Sequence, residues 1–178
     1  LDRKIAGGTK NFADGTAMTR EQAIRSIEIC IEIAEENVRK GYKVFSIGEM
    51  GISNTTSSAC ILGTFNHWNA IEVTGRGTNI SDERLVHKVE VVQKAMDVNH
   101  PDPKDGLDVL AKVGGFEFGC LTGVILGAAA NHAMTIIDGF NTTASAFIAK
   151  ALSPQVSDYL MASHLSLEQA HKKSLAAL

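Results

Sequence analysis

Apolar residues recur along this chain with two different periods. Ala23, Ile24, Ile27, Ile31, Ala34 and Val38 return every three or four positions, with Glu28, Glu32, Glu35 and Glu36 between them. That spacing predicts an amphipathic helix with a solvated acidic face. Thr19-Arg20-Glu21-Gln22 supplies a capping box at its start, and Lys40-Gly41 ends it. Leu85, Val86, Val89, Val92 and Ala95 predict a second helix from Asp82 to Met96 behind a Ser81 cap, and Leu107–Val113 predicts a short third. From Phe116 to Ala130 nearly every residue is apolar or small, with Gly119, Gly123 and Gly127 four apart. This stretch is too short to span a bilayer. It reads as a helix in the core or at a subunit interface, whose glycines let another element come close.

Short β-branched runs interrupt the helical period. Lys43–Ile47 and Met134–Ile137 read as buried strands and Tyr159–Ala162 as a third, while Ile71-Glu72-Val73 reads as a short strand or loop. A turn and a helix start follow each main strand. Asn54 or Thr55 caps a helix running to about Phe65, Asn141 or Thr142 caps Ala144–Leu152, and Ser166 caps the last helix. Repeated strand–turn–helix units predict an α/β fold, a Rossmann-like parallel sheet with helices on both faces in three layers. Residues 1–18 form a glycine-rich loop that Phe12 holds across a surface.

At 178 residues the chain fits a single α/β domain, 1–178, with a proper core. A net charge of −3 gives no reason to expect nucleic acid or an anionic membrane as partner. Any bound anion needs a local site. Cys30, Cys60 and Cys120 sit far apart in apolar helical contexts and read as small core residues in a reducing compartment, not as a disulfide frame or metal site. No transmembrane run or signal segment is visible, so the cytoplasm is the default. The start at Leu1 and the helix-rich end suggest part of a longer chain.

The candidate chemistry gathers behind the strands. After Ile47, Gly48 and Gly51 flank a single carboxylate, Glu49, and a helix begins at about Asn54. A strand, a glycine turn and a helix N-terminus can hold an anion; the same pattern also serves as an ordinary βα turn. It is neither a P-loop nor a dinucleotide fingerprint, which argues against a nucleotide triphosphatase and a Rossmann oxidoreductase. Thr74-Gly75-Arg76-Gly77-Thr78 is a second glycine turn. Asp138 and Ser163-His164 end the other two strands, where ligands of open α/β sheets collect.

Taken together, Gly48-Glu-Met-Gly-Ile-Ser-Asn-Thr-Thr56, Val73-Thr-Gly-Arg-Gly-Thr78, Lys88-Val89, Val113-Gly-Gly-Phe-Glu117, Ile137-Asp-Gly-Phe140 and Ser163-His164 closely resemble the motifs of the nicotinate-nucleotide–dimethylbenzimidazole phosphoribosyltransferases, in their order and approximate spacing. Gly8-Thr9, Asn11-Phe12 and Ala17–Glu21 fit as well, so the resemblance covers essentially the whole chain. It implies transfer of the phosphoribosyl group of nicotinate mononucleotide to 5,6-dimethylbenzimidazole, giving α-ribazole 5′-phosphate and nicotinate. It also implies a cytoplasmic homodimer with no metal or redox cofactor. Gly51, Gly75, Gly77 and Lys88 then correspond to the phosphate cradle, and Glu49 to a carboxylate beside the anomeric carbon. Asn54, Thr55, Asp138 and Ser163 become nucleotide or ribose contacts. Taken alone, Lys88 reads as a surface lysine, Glu49 as a helix N-terminal acid and His164 as structural. Arg76 is either a phosphate ligand or a solvated side chain.

Two residues depart from the family's pattern. Ser53 and Asn79 stand where it often carries glycine; serine is acceptable if the backbone does not need a positive φ, and asparagine tolerates a left-handed turn. The family's general base is a glutamate in a Gly-Glu-Gly segment downstream of the region matching His171–Leu178, and part of its benzimidazole pocket precedes Leu1. Without a positioned base the rate falls roughly 10²–10⁴-fold, so the 178-residue chain is expected to be weak or inactive by itself. The alternative is a catalytically inert, truncated paralogue that binds a phosphorylated ligand or a partner chain.

Overall fold

Three short β-rich runs pair as one parallel sheet in the order β1 (Val44–Ile47), β2 (Met134–Ile137), β3 (Leu160–Ala162). The structure, a computed structural model, describes residues 1–178. Around the sheet run α1 (Arg20–Arg39), α2 (Asn54–Asn66), α3 (Ala70–Val73), α4 (Asp82–Asn99), α5 (Gly106–Val113), α6 (Phe116–Ala130), α7 (Phe140–Leu152) and α8 (His171–Ala177), with a 3₁₀ turn at Pro154–Tyr159. In register, Ile47 lies beside Ile137 and Ile137 beside Ala162, while Ser46 lies beside Ile136 and Ile136 beside Met161. The α/β class and the parallel sheet are as expected.

The two sheet faces differ. Ile47 and Ile137 are buried with Leu121 and Ile125 of α6, Ala146 and Ala149 of α7, and Val156. On the opposite face Val44, Met134 and Met161 are 54%, 38% and 49% exposed. Strand order 1-2-3 advances in one direction, and right-handed crossovers taken in one direction land on one face. Within these 178 residues the helices cover a single face, which corrects the expectation of helices on both faces in three layers.

A larger core joins α2, α5, α6 and α7, built around Ile61, Leu62, Leu110, Phe118 and Ile148. The capping box of α1 forms as predicted, with Gln22 N–H donating to Thr19 Oγ1 and Thr19 N–H to Gln22 Oε1. The N-terminal segment lies across the surface, with Phe12 against the core and its carbonyl accepting from Asn99 Nδ2 at 2.7 Å.

Helix α6 packs along α1 of the same chain. A Cβ on Gly127 would stand 2.9 Å from Ala34 Cβ, and one on Gly123 3.0 Å from Cys30 Cβ. This close approach has a consequence that the sequence did not suggest. Cys30 and Cys120 are joined by a disulfide, with Cα atoms 5.1 Å apart, which corrects the expectation of three reduced core cysteines. Cys60 remains a buried thiol that burial pushes up to about 12.

Other corrections concern element starts. Residues 70–73 form one helical turn, because Asn69 and Glu72 build a capping box there. Helix α7 begins at Phe140 behind Gly139, so neither Asn141 nor Thr142 precedes it. Helix α8 begins at His171, not near Ser166. Residues 163–170 instead form a loop docked by the buried His171. The His171 ring accepts from Ser166 N–H through Nδ1 at 2.9 Å, and its Nε2 lies 3.1 Å from Thr143 Oγ1.

Candidate active site

The carboxyl ends of the strands and the N-terminal ends of α2 and α7 face one side of the molecule. Beside them opens a cavity of about 660 Å³, whose lining includes Glu49, Gly51, Asn54, Thr55, Gly77 and Lys88. Six of the residues singled out from the sequence thus meet in one place.

Its far wall is one face of α4. Arg84, His87, Lys88 and Val91 recur at three- and four-residue spacing and all line the cavity. Lys88 is the inner cation. Its Nζ donates to Thr55 Oγ1 at 2.8 Å and to Gly75 O at 3.0 Å. An ammonium has three donors, so one is left for a ligand. Burial pushes Lys88 below its ordinary value, and the nearby Glu168 charge partly opposes this. Gly77 has φ +56, and a Cβ there would lie 3.6 Å from Lys88 Nζ and 3.1 Å from Thr55 Oγ1. Glycine is needed both for the turn and for access to the ammonium.

Glu49 forms the near wall. Gly51 lets the Asn54 amide fold back onto it, since a Cβ on Gly51 would stand 2.9 Å from Asn54 Cγ. Asn54 Nδ2 donates to Glu49 Oε2, and Asn141 Nδ2 donates to Glu49 Oε1 at 2.6 Å. Asn54 and Thr55 are therefore the opening residues of α2, turned toward the cavity, not its cap. The cap position belongs to Ser53, which makes no side-chain cap bond.

Ser53 has φ +73, in the left-handed region, and so does Asn79 at +66. The backbone requires a positive φ at Ser53 after all, and serine fills that position at a cost. Ser53→Gly is expected to raise stability by about 1 kcal/mol. Chemical denaturation of the two proteins side by side measures it; an unchanged or lowered midpoint would contradict the strain.

Other predicted residues fall outside the cavity. Gly75 is buried behind its wall, where a Cβ would overlap the Glu168 carboxylate; its need for glycine is close packing, not an exposed N–H. Asp138 and Ser163 end β2 and β3, with Ser163 Oγ donating to Asp138 O at 2.9 Å. His164 Nδ1 lies 2.9 Å from Ser163 Oγ and 3.7 Å from Asp138 Oδ1. Arg76 lines the cavity yet is held by Asp82 and by Ile80 O. Sequence reading missed Asn141, Arg84, His87 and Glu168 as cavity residues. Asn141 resembled a helix cap, and Arg84 and His87 were visible only as the α4 face that bears Lys88.

A second carboxyl lies nearby. Glu117, in the first turn of α6, is pushed above the ordinary carboxylate range, first by burial and then by the Glu49 charge. The folded chain holds this proton to higher pH than the unfolded chain. Its favourable contribution is thus complete below the ordinary value and is lost as pH rises through the raised one. Glu117→Gln is expected to melt higher than the parent at pH 7–8, with the gain vanishing below about pH 4. Thermal melts across that range test it, and a gain that persists at low pH would contradict the assignment.

The chain matches known proteins along its whole length. A family model described as "Phosphoribosyltransferase" matches residues 1–178. The chain is 51% identical over its whole length to the nicotinate-nucleotide–dimethylbenzimidazole phosphoribosyltransferase of Clostridioides difficile (strain 630), and 53% identical to that of Syntrophotalea carbinolica. It spans about half the length of these curated relatives, 51% and 50%. The crystal structure of CobT from Thermus thermophilus superposes with a TM-score of 0.94 at 36% identity, covering 99% of this chain and 53% of that one. With its full length matched, its motifs in order and its fold shared, the chain belongs to the nicotinate-nucleotide–dimethylbenzimidazole phosphoribosyltransferase family.

Proposed function

We propose that this cavity binds nicotinate mononucleotide and serves the transfer of its phosphoribosyl group to 5,6-dimethylbenzimidazole. The observation that carries the reading is the pairing, across one cavity, of the Lys88 ammonium set against Gly77 and the amide-held Glu49 carboxylate. The phosphate takes the free Lys88 donor, with Gly77 leaving room for it. The ribose then extends toward Glu49. As the bond from C1′ to the nicotinate nitrogen breaks, its electron pair leaves with the pyridine ring and positive charge grows on the ribosyl carbon. A fixed carboxylate facing that charge stabilises it. The new bond forms from C1′ to a benzimidazole nitrogen, and the other ring nitrogen gives up its proton to a general base other than Glu49. Glu49, occupied by two amide donors, is suited to face the cation and not to take that proton.

The same reading carries a cytoplasmic homodimer with it. The family resemblance supports this. The Cys30–Cys120 bond weighs against a fully reducing surrounding, which would keep the pair as thiols unless packing shields them.

Calorimetric titration with nicotinate mononucleotide, beside a Gly77→Asp control, tests the proposal. Saturable one-to-one binding that the control loses is the expected result. No binding at millimolar ligand by a folded chain would overturn the reading and favour an inert member of the family.

A further inference from the structure

Side chains from two different βα turns close a ring at the wall of the cavity. Asn54, first residue of α2, donates its amide to Glu49 Oε2. Asn141, on the first turn of α7, donates to Glu49 Oε1 at 2.6 Å and to Asn54 Oδ1 at 3.0 Å. Behind them Ser58, fully buried one turn along α2, donates its hydroxyl to Asn141 Oδ1 at 2.6 Å. Both amide hydrogens of Asn141 and its oxygen are therefore engaged. The carboxylate, an acceptor only, turns the NH2 end of that amide toward itself, and the Ser58 hydroxyl holds the amide there by donating to its oxygen end.

We infer, on the basis of the nucleotide reading above, that Asn141 seated by Ser58 is the positioning residue of this site, and that the ring it closes makes the cavity select ribose over 2-deoxyribose. A carboxylate offers about four acceptor positions. Two are taken by the Asn54 and Asn141 amides, one on each oxygen. With both oxygens tied, the carboxylate plane cannot rotate, and the two remaining acceptor positions keep a fixed direction in the cavity that Glu49 lines. A fixed pair of acceptors suits the paired 2- and 3-hydroxyls of ribose. A 2-deoxy sugar leaves one acceptor desolvated and unpaired, which costs more than the missing bond itself. A carboxylate free to turn would take water on that oxygen and lose the discrimination. Lys88 and Gly77 contact only the phosphate end, so they treat both sugars alike.

The probes are D-ribose 5-phosphate and 2-deoxy-D-ribose 5-phosphate, titrated calorimetrically into the 178-residue chain and its variants. The parent is expected to prefer ribose by roughly tenfold or more. Asn141→Ala and Glu49→Gln lose that preference by weakening the ribose sugar alone, and Ser58→Ala retains only part of it. The Asn141→Ala, Glu49→Gln double variant prefers ribose no less than Glu49→Gln does, because both changes remove one device. Asn141→Asp, equal in shape but without the donor, gives the same loss and serves if the alanine variant does not fold. Equal parental affinities, or a preference that survives Asn141→Ala, would overturn the inference and leave the phosphate reading standing. So would equal weakening of both sugars, which is the mark of a merely structural asparagine. A folded parent that binds neither sugar phosphate at millimolar concentration would overturn both.

Discussion

Lys88→Ala weakens nicotinate mononucleotide binding by roughly 100-fold, on the order of 2–4 kcal/mol. The expected size follows from where the ammonium sits. It is half-buried, with two of its three donors fixed by Thr55 Oγ1 and Gly75 O and the third left for the phosphate. A pre-oriented donor loses little side-chain freedom on binding, and its bond to a phosphate oxygen is charge-assisted. Lys88→Arg does not rescue, because a planar guanidinium cannot place a donor on both anchors from the same point. The parent itself loses affinity on the alkaline side before an exposed lysine would, since burial holds its ammonium below the ordinary value. Calorimetry on parent and both variants, with circular dichroism to confirm folding, measures this. Parental affinity in Lys88→Ala would move the phosphate to Arg84 and His87 at the rim and unseat the proposed orientation of the nucleotide.

Reducing the Cys30–Cys120 bond lowers stability by about 2–4 kcal/mol, against about 4–5 kcal/mol from chain entropy alone for a loop of this size. The bond closes a separation of 90 residues in sequence, and the unfolded chain regains most of that freedom when it opens. Urea unfolding with and without reductant gives the difference, and a Cys30→Ala, Cys120→Ala double variant should unfold with the reduced protein. Counting thiols in denaturant supplies an independent check. One thiol, Cys60, titrates before reduction and all three after it. Three thiols before reduction would mean that the pair is open in solution and would remove the basis of the expected difference.

The two predictions also mark how far the residues could be read in advance. Local signals were strong where chain neighbours decide the outcome. Thr19 and Gln22 cap α1 on their own, and the mostly apolar Phe116–Ala130 stretch has the same bounds as α6. Glu49, Gly77 and Lys88 were singled out through the family resemblance, since alone Glu49 reads as a helix N-terminal acid and Lys88 as a surface lysine. Pairing between distant residues was not legible. Cys30 meets Cys120 only because the α6 glycines let α1 approach, and nothing within either helix names the other. Asn141 looked like a cap because asparagine before a helix usually is one. Its partner Glu49 is 92 positions away and comes into reach only when β1 and β2 pair. The condition left open at Ser53 fails for a different reason: its positive φ accompanies the turn that swings Asn54 onto Glu49, a demand that composition does not display.

The meeting of α1 with α6 also bears on how fast the chain reaches its native state. These helices make the most extensive helix–helix contact in the protein, yet the second is synthesised only after α2 to α5. Helix α1 must wait, amphipathic and unpartnered, for a surface about 90 residues downstream, where Cys120 marks its opposite number. Parallel strands add crossovers of similar reach. Many of the decisive contacts are thus distant in sequence, a condition that makes domains fold more slowly than helical bundles do. During that interval the apolar stripe of α1, and not the finished sheet, is the surface that chaperones or neighbouring chains would meet first.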